Sequence, residues 1–238
     1  MTVPSILVEV CIASVEMAMV AEQAGAHRLE LNTALELDGL SPTPALLTCV
    51  LEQVELPVIT MARPRSGDFV YSDFEWKVLK EDAAWMLDMG ASGIAVGCLQ
   101  ADGQIDRDKL EEIRNLAHGK ELVFHLAFDE TPNWQVAMAT LAAHGVNRVM
   151  TRGRAKTAIE GAGLIREMIE FSEGTIEVLP AGRVGSANVR EIVIETGCSQ
   201  VHGSFSSQIE DIHNQPPFSL PQRVMDEIET VVENLRFC

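Results

Sequence analysis

One short pattern occurs four times along the chain and constrains the fold more than any other feature. Each copy has the end of a predicted helix, a glycine, about three connecting residues and a β-like run. The copies are QAGAHRLEL (23–31), DMGASGIAV (88–96), AHGVNRVM (143–150) and ETGCSQVHG (195–203). Their glycines lie at roughly twice the spacing of one strand–helix unit, which four βαβα quarters of a barrel would produce.

Further strands and helix starts lie between these copies. The additional β-like runs are 6–12, 57–63, 121–128 and 175–182. Helix N-caps are predicted at Ser41 (before Pro42), Ser72 (in a capping box with Glu75), Asp106 and Ser186. A final helix is predicted over residues 221–235.

This alternation of strands and helices predicts an α/β fold. We expect a single (β/α)8 TIM barrel that spans residues 1–238 as one domain, because no proline- or serine-rich linker divides the chain. An open, doubly wound sheet is the alternative. In a barrel, binding and catalytic residues lie at the carboxyl ends of the strands and in the loops that follow them.

The charge balance limits the kinds of partner. The chain has 18 Lys and Arg against 35 Asp and Glu, a formal net charge of -17. Nucleic acids and anionic membrane surfaces are bound through clustered basic residues, so neither is expected as a partner. A small anion is still compatible with this charge, since a pocket can gather a few arginines inside an acidic surface.

The cysteines and the amino-terminal residues indicate a cytoplasmic protein. None of the five cysteines forms a CxxC pair, a distribution typical of reduced thiols. The start MTVPSILVEV lacks the basic segment and long apolar run of a signal peptide. No stretch reaches the roughly 20 apolar residues of a membrane span.

Strand alternation predicts which side chains enter the barrel lumen. The predicted lumen residues are Glu9, Cys11, Arg28, Glu30, Asn32, Arg63, His125, His202 and Ser204, whereas Leu126 is predicted to face the helices. Charged groups buried in the lumen must be paired with one another, be hydrated or take part in catalysis or ligand binding. Glu9, Glu30 and His125 are therefore candidate catalytic acid–base residues. The alternative is an ion-pair network that fills the barrel.

Two segments at the expected barrel mouth are candidates for binding a small anionic or phosphorylated metabolite. In RPRSGDF (63–69), Arg63 and Arg65 could clamp an anion, with Asp68 beside them. In the loop 181–188, Gly182 precedes a helix start, and Ser204 follows the last strand, positions that often hold phosphate. The alternatives are a salt-bridged loop for the first segment and an ordinary helix cap for the second.

Cys11 is the candidate metal ligand. It is the cysteine that strand alternation places in the lumen near histidine and methionine, and such soft donors can hold Cu(I). A small buried cysteine that only fills space is the alternative.

At these segments the sequence resembles the CutC copper homeostasis family. The similar segments are VEVCIAS (8–14), AGAHRLELN (24–32), RPRSGDFVYS (63–72), DGQID (102–106), FHLAFD (124–129), LPAG (179–182) and VHGS (201–204). The third of these is specific, and the others occur in the same order. The resemblance implies a (β/α)8 barrel, a cytoplasmic setting, oligomerisation and a role in intracellular copper handling.

Three departures from the family pattern bear on the site. Asn32-Thr33 stands where the family has Cys-Ser, so of the two suspected copper-binding sulfurs only that of Cys11 is present. Leu126 replaces an arginine, and Ala181-Gly182-Arg183 replaces a glycine triplet.

Three functions follow as hypotheses. The first is a copper homeostasis protein that binds Cu(I) through Cys11. The second is an enzyme that acts on a small anionic metabolite. The third is a non-catalytic oligomeric scaffold. A homodimer or higher homo-oligomer is expected from the resemblance and from apolar positions on the last helix: Val224, Met225, Ile228 and Val232.

Overall fold

The computed structural model describes residues 6–205 and 220–236, and within them eight strands alternate with eight α-helices. The strands are β1 (Leu7–Ile12), β2 (Arg28–Leu31), β3 (Val58–Met61), β4 (Gly93–Val96), β5 (Glu121–Phe124), β6 (Arg148–Thr151), β7 (Glu177–Pro180) and β8 (Gln200–Gly203). The helices are α1 (Val15–Gln23), α2 (Pro44–Gln53), α3 (Asp73–Asp88), α4 (Arg107–Leu116), α5 (Trp134–Ala143), α6 (Ala162–Ser172), α7 (Val189–Thr196) and α8 (Leu220–Leu235). Short 3-10 helices follow β2 (Leu35–Leu37) and β5 (Leu126–Glu130).

The strands form one parallel sheet in the order β7-β6-β5-β4-β3-β2-β1-β8. The two strands at the ends of this order, β7 and β8, lie against each other, so the sheet is nearly closed. This arrangement confirms the predicted (β/α)8 barrel over the open sheet. The four recurring glycines, Gly25, Gly90, Gly145 and Gly197, all have the left-handed backbone expected where a helix ends.

Apolar side chains pack on both sides of the sheet. The larger core lies between the sheet and the helices and includes the fully buried Val8, Val10 and Ile12 of β1. Two smaller apolar clusters fill part of the lumen: Ile59, Met61, Ala95 and Val123 from β3–β5, and Met150, Leu179 and Ala181 from β6, β7 and the residue after it. Strands β8, β1 and β2 contribute mostly polar lumen residues instead, and this polar side of the lumen positions the candidate site.

Two of the four predicted helix N-caps are confirmed. The Ser72 hydroxyl and the Glu75 carboxylate form the expected capping box of α3, and Asp106 caps α4. The prediction at Ser41-Pro42 is wrong, because Thr43 caps α2 and Pro44 begins it. The Ser41 hydroxyl instead accepts a hydrogen bond from the Arg63 backbone N–H, which ties the β2 and β3 loops together.

The prediction that Ser186 caps α7 is also wrong. Asn188 immediately precedes the helix, and its side chain makes no capping bond to it. The Asn188 side-chain oxygen accepts from the Gly185 N–H (3.0 Å). Ser186 is held by a carboxylate of α8, described below.

The run 121–128 is shorter than predicted as a strand. β5 ends at Phe124, and His125 caps the following 3-10 helix by accepting a hydrogen bond from the Ala127 N–H (3.1 Å). Because strand alternation ends there, Leu126 packs against the lumen cluster of Met150, Leu179 and Ala181 rather than facing the helices. The prediction for Leu126 is therefore wrong.

The apolar face of α8 covers the barrel. Val224 and Ile228 are fully buried, and Val232 lies against Gly25 at the end of α1. These apolar side chains therefore pack against other parts of the same chain. The expected homo-oligomer stays a prediction. Within the described ranges, no helix combines the length and apolar character that crossing a bilayer requires.

Candidate functional site

The polar side of the lumen brings together residues from three neighbouring strands. In the parallel register, Glu9 of β1 lies opposite both Arg28 of β2 and His202 of β8, and Cys11 lies opposite Glu30. Glu9, Arg28, Glu30 and His202 are all less than 9% exposed. Charged groups buried this deeply must be satisfied by one another or by a ligand.

Glu9 connects Arg28 to His202. One carboxylate oxygen accepts from Arg28 Nε, and the other lies 2.7 Å from His202 Nδ1. Burial alone would raise the pKa of Glu9, but the His202 hydrogen bond and the Arg28 charge outweigh it and lower this pKa to about 2. Glu9 is therefore a fixed negative charge that orients the His202 ring.

His202 lies between two carboxylates. Its Nε2 is 3.7 Å from Glu30 Oε2, on the side of the ring opposite Glu9. Burial lowers the pKa of His202, but the charge of Glu30 and the hydrogen bond to Glu9 raise it above its usual value. This arrangement presents Nε2 to the space shared with Glu30.

Glu30 is buried and only partly satisfied. Its Oε2 accepts from Asn32 Nδ2 at 2.9 Å, whereas its Oε1 has no hydrogen-bond partner among the described residues. Burial, the first cause, and the charge of Glu9 raise the pKa of Glu30 despite the opposing charge of His202. An unpaired oxygen on a buried carboxylate is costly and marks a place where a cation would be stabilised.

Cys11 completes a group of potential metal ligands. Its Sγ lies 3.4 Å from Asn32 Nδ2, and burial followed by the charge of Glu30 raises the pKa of its thiol. One donor atom from each of Cys11, Glu30 and His202 lies within 4.8 Å of the other two. We call these three residues the Cys–Glu–His cluster.

A chain of polar contacts leads from this cluster toward the amino-terminal end of the barrel. Arg28 Nη2 donates to Gln200 Oε1 (2.8 Å), and Gln200 Nε2 donates to Glu177 Oε2 (2.9 Å) across the seam between β8 and β7. Glu177 also pairs with the buried Arg148, which in turn pairs with Glu121. The lumen thus does contain an ion-pair network, and Glu9 belongs to it.

His125 occupies a different environment from Glu9 and Glu30. Its ring packs against Gly97 and lies 4.9 Å from the Phe69 ring, between centroids. Burial and the nearby charge of Arg63 lower its pKa to about 3. Among the described residues, His202 is the histidine that contacts both predicted carboxylates, so the geometry groups Glu9 and Glu30 with His202. The catalytic roles assigned to Glu9, Glu30 and His125 stay predictions.

Arg63 holds two loops together through carbonyl groups. Its Nη1 donates to the carbonyl oxygens of Leu37, Asp38 and Gly39, and its Nη2 donates to that of Gly67. These contacts engage both terminal nitrogens, whereas Nε is buried with no hydrogen-bond partner among the described residues. Anion binding by Arg63 stays a prediction.

Arg65 is likewise engaged within the chain. Its guanidinium pairs with Glu75 (2.5 Å) and Asp68 (2.9 Å) and lies over the Tyr71 ring. The same Glu75 belongs to the capping box of α3, so Arg65 anchors the 63–72 segment to the start of that helix. The geometry therefore favours the alternative of a salt-bridged loop.

The loop 181–188 already holds a carboxylate of the protein. Glu227 of α8 accepts from the Ser186 N–H (2.7 Å) and from the Ser186 hydroxyl (2.8 Å). Gly182 has φ +92°, and a Cβ there would lie 2.6 Å from the Arg152 side chain. Ser204 is partly buried directly after β8. Binding of an external anion by Gly182 and Ser204 stays a prediction.

Sequence reasoning missed the central role of His202. Strand alternation places it in the lumen, but its contact with Glu9 depends on which strand pairs with β1 and in what register. The motif VHGS and the predicted barrel together indicate that His202 lies near β1, because closure of a barrel brings the last strand next to the first. Glu227 left no comparable signal, because it is one of many acidic residues on α8.

Comparisons with known proteins agree with this fold and identify its family. A model of the CutC family matches residues 6–207. A family protein CutC from Treponema denticola is 41% identical over 198 residues, which cover 83% of this chain and 80% of the relative. A copper homeostasis protein cutC homolog from Homo sapiens is 38% identical over 201 residues, covering 84% of this chain and 74% of the relative.

Comparison with solved structures also gives a similarity to CutC proteins. The crystal structure of a CutC protein from Streptococcus agalactiae superposes with a TM-score of 0.79 at 29% identity, over 84% of this chain and 98% of that one. Phosphoribosylanthranilate isomerase from Thermotoga maritima, at TM-score 0.61 and 12% identity over 98% and 100% of the two chains, shares the fold alone. Taken with the match over residues 6–207, these similarities show that the chain belongs to the CutC family.

Proposed function

We propose that this protein binds copper through Cys11 and His202 of the Cys–Glu–His cluster and takes part in copper homeostasis in the cytoplasm. The observation that carries the proposal is that the Cys11 sulfur and a ring nitrogen of His202 lie within 4.8 Å of each other at the polar side of the lumen. The names of the human relative and of the family support copper as the ion. The four described cysteines, Cys11, Cys49, Cys98 and Cys198, form no disulfide with one another, which is consistent with a reducing compartment.

The donors fit Cu(I) in part. The sulfur of Cys11 is a soft ligand, and the imidazole of His202 suits copper as well as zinc. With Asn32 at the neighbouring position, the cluster has one sulfur rather than two, so Cys11 and His202 would hold Cu(I) together. We expect a weaker Cu(I) site than a pair of cysteines would form.

Glu9 has a supporting role in this proposal. Metal-binding histidines usually donate their other ring N–H to a carboxylate, which fixes the tautomer and the ring orientation. Glu9 lies 2.7 Å from His202 Nδ1 and is itself held by Arg28, so Nε2 is the nitrogen directed to the metal.

Competition with a Cu(I) chelator tests the proposal. We expect the reduced protein to take one Cu(I) per chain, Cys11→Ala to lose this binding, and Glu9→Gln to weaken it by about 10–100-fold, as changes behind a metal ligand commonly do. Cys49→Ser, which also removes one thiol but at an exposed position, is the matched control and should bind like the parent. Equal copper uptake by the parent and Cys11→Ala would contradict the proposal.

A further inference from the structure

The donor atoms of the Cys–Glu–His cluster differ in chemical hardness. Cys11 offers a soft sulfur, His202 a borderline nitrogen and Glu30 a hard oxygen. Cu(I) makes little use of a carboxylate oxygen, whereas Zn²⁺ is bound by sulfur, imidazole nitrogen and carboxylate oxygen alike. Three protein ligands of these types are also the number found in zinc sites that keep one position open for water or another small ligand.

Glu30 is the residue that points to a divalent cation. It is 3% exposed, its Oε2 lies 3.7 Å from His202 Nε2, and its carboxylate also interacts with Cys11. Its Oε1 has no hydrogen-bond partner among the described residues. Copper held by Cys11 and His202 would leave this oxygen unsatisfied, whereas a cation with three ligands would use the carboxylate.

The charges around the cluster match a doubly charged ion. The negative charge of Glu9 is already paired with Arg28, so it is cancelled close by. The remaining anionic groups are the Glu30 carboxylate and the Cys11 sulfur, which binds a metal as thiolate. Two negative ligands and one neutral imidazole therefore balance a divalent cation and leave an excess charge around a monovalent one.

Asn32 positions two of these ligands. Its Nδ2 donates to Glu30 Oε2 (2.9 Å) and contacts Cys11 Sγ (3.4 Å). Its Oδ1 faces Gly39 and has no hydrogen-bond partner among the described residues, so the two Nδ2 contacts are what orient the amide toward the cluster. One side chain thus keeps the carboxylate and the sulfur together.

We propose that Cys11, Glu30 and His202 form a three-ligand site for a divalent cation of the zinc class, with Glu30 as the ligand that distinguishes this binding from that of Cu(I). The inference rests on the cluster used in the proposed function, but it concerns a different ion. Asn32 is the positioning residue that sets the ligand geometry.

Titration of the full chain with Co²⁺ and Zn²⁺ under reducing conditions tests the inference. We expect one Co²⁺ per chain to give visible absorption bands of a four-coordinate site and a thiolate-to-cobalt charge-transfer band, and one equivalent of Zn²⁺ to abolish them. Glu30→Gln should weaken Zn²⁺ binding at least tenfold and leave Cu(I) affinity within about threefold of the parent. Glu36→Gln removes one exposed carboxylate near the same end of the barrel and is the matched control.

Two further variants separate this inference from the proposed function. Cys11→Ala should lose both ions, and retained Cu(I) binding by Glu30→Gln shows that this variant is folded. Asn32→Cys, which adds a second sulfur, should strengthen Cu(I) binding more than Zn²⁺ binding. Co²⁺ bands without a thiolate contribution, or unchanged in Glu30→Gln, would overturn the inference. Cys11-dependent Cu(I) binding with no Zn²⁺ binding would overturn it and leave the proposed function intact.

Discussion

Two lumen histidines show how strongly the neighbours of a residue decide its chemistry. His202 lies between Glu9 and Glu30, which raise its pKa despite burial. His125 lies between Phe69 and Gly97 near Arg63, and its pKa falls to about 3. The same side chain is thus suited to binding a cation or a proton in one place and is held neutral in the other.

This difference predicts an effect of pH on stability at His125. The native protein keeps His125 neutral down to about pH 3, whereas the unfolded chain protonates it near its ordinary pKa of 6.5. Because the unfolded state binds more protons below pH 6.5, the free energy of unfolding falls as the pH falls. We expect His125 to contribute about 1–2 kcal/mol of this loss between pH 7 and pH 5.

Urea unfolding of His125→Asn at several pH values measures the contribution. Asparagine keeps a side-chain acceptor for the Ala127 N–H but does not titrate, so stability should decrease less steeply toward pH 5 than in the parent. His118→Gln, at an exposed position, should follow the parent curve. Parallel curves for the parent and His125→Asn would show that His125 is protonated in the native state.

For individual residues, the sequence predicts which side chains enter the barrel lumen, but it does not predict which of them contact one another. Strand alternation correctly places Glu9, Glu30 and His202 inside the barrel. The contact between Glu9 and His202 joins positions 193 residues apart, and it depends on strand order and register. Leu126 was assigned to the wrong side because a 3-10 helix replaces the end of the strand, and alternation applies only to extended backbone.

Among the elements, the contact between α8 and the loop that joins β7 to α7 shows how a predicted ligand site can be filled by the chain itself. Glu227 accepts two hydrogen bonds from Ser186, where phosphate binds in many barrels. The sequence predicts a helix N-cap at Ser186, which is wrong, and an anion site at Gly182 in the same loop, which stays a prediction. It does not reveal that a residue 41 positions later supplies the anion.

Removal of this carboxylate should make the turn an anion site. We expect Glu227→Ala to lose about 1–3 kcal/mol of stability, because the Ser186 donors lose a charged partner. Sulfate or phosphate should then raise the melting temperature of the variant more than that of the parent, since only the variant has free donors there. Glu229→Ala, an exposed position on the same helix, controls for the change in charge. An equal rise in all three proteins would exclude a site created at Ser186.

For the whole molecule, the sequence predicts the barrel well because the pattern of strands, helices and terminal glycines is local. The helix N-caps are harder to predict where several capping residues occur close together, as with Ser41 and Thr43.

The oligomeric state depends on the exposed surfaces of the molecule rather than on local sequence pattern. The apolar side chains of α8 pack against the barrel, whereas Phe74 and Val78 on α3 are 84% and 51% exposed.

These two residues lie four positions apart on one face of α3, and we propose that they take part in self-association. We expect light scattering to give about twice the chain mass of 26.0 kDa, and Phe74→Glu to reduce it to that of one chain. Val136→Glu, at a 49% exposed position on α5, should leave the mass unchanged. A parent mass of 26.0 kDa at micromolar concentration would contradict the prediction.

The positions of the three cluster residues along the chain also determine when the Cys–Glu–His cluster can form during protein synthesis. Cys11 and Glu30 belong to the first two strands, whereas His202 belongs to the last. A nascent chain that has left the ribosome only as far as β7 therefore carries the thiol and the carboxylate without the imidazole. Barrel closure would complete the proposed three-ligand site, so in that proposal metal binding by all three ligands follows translation of β8.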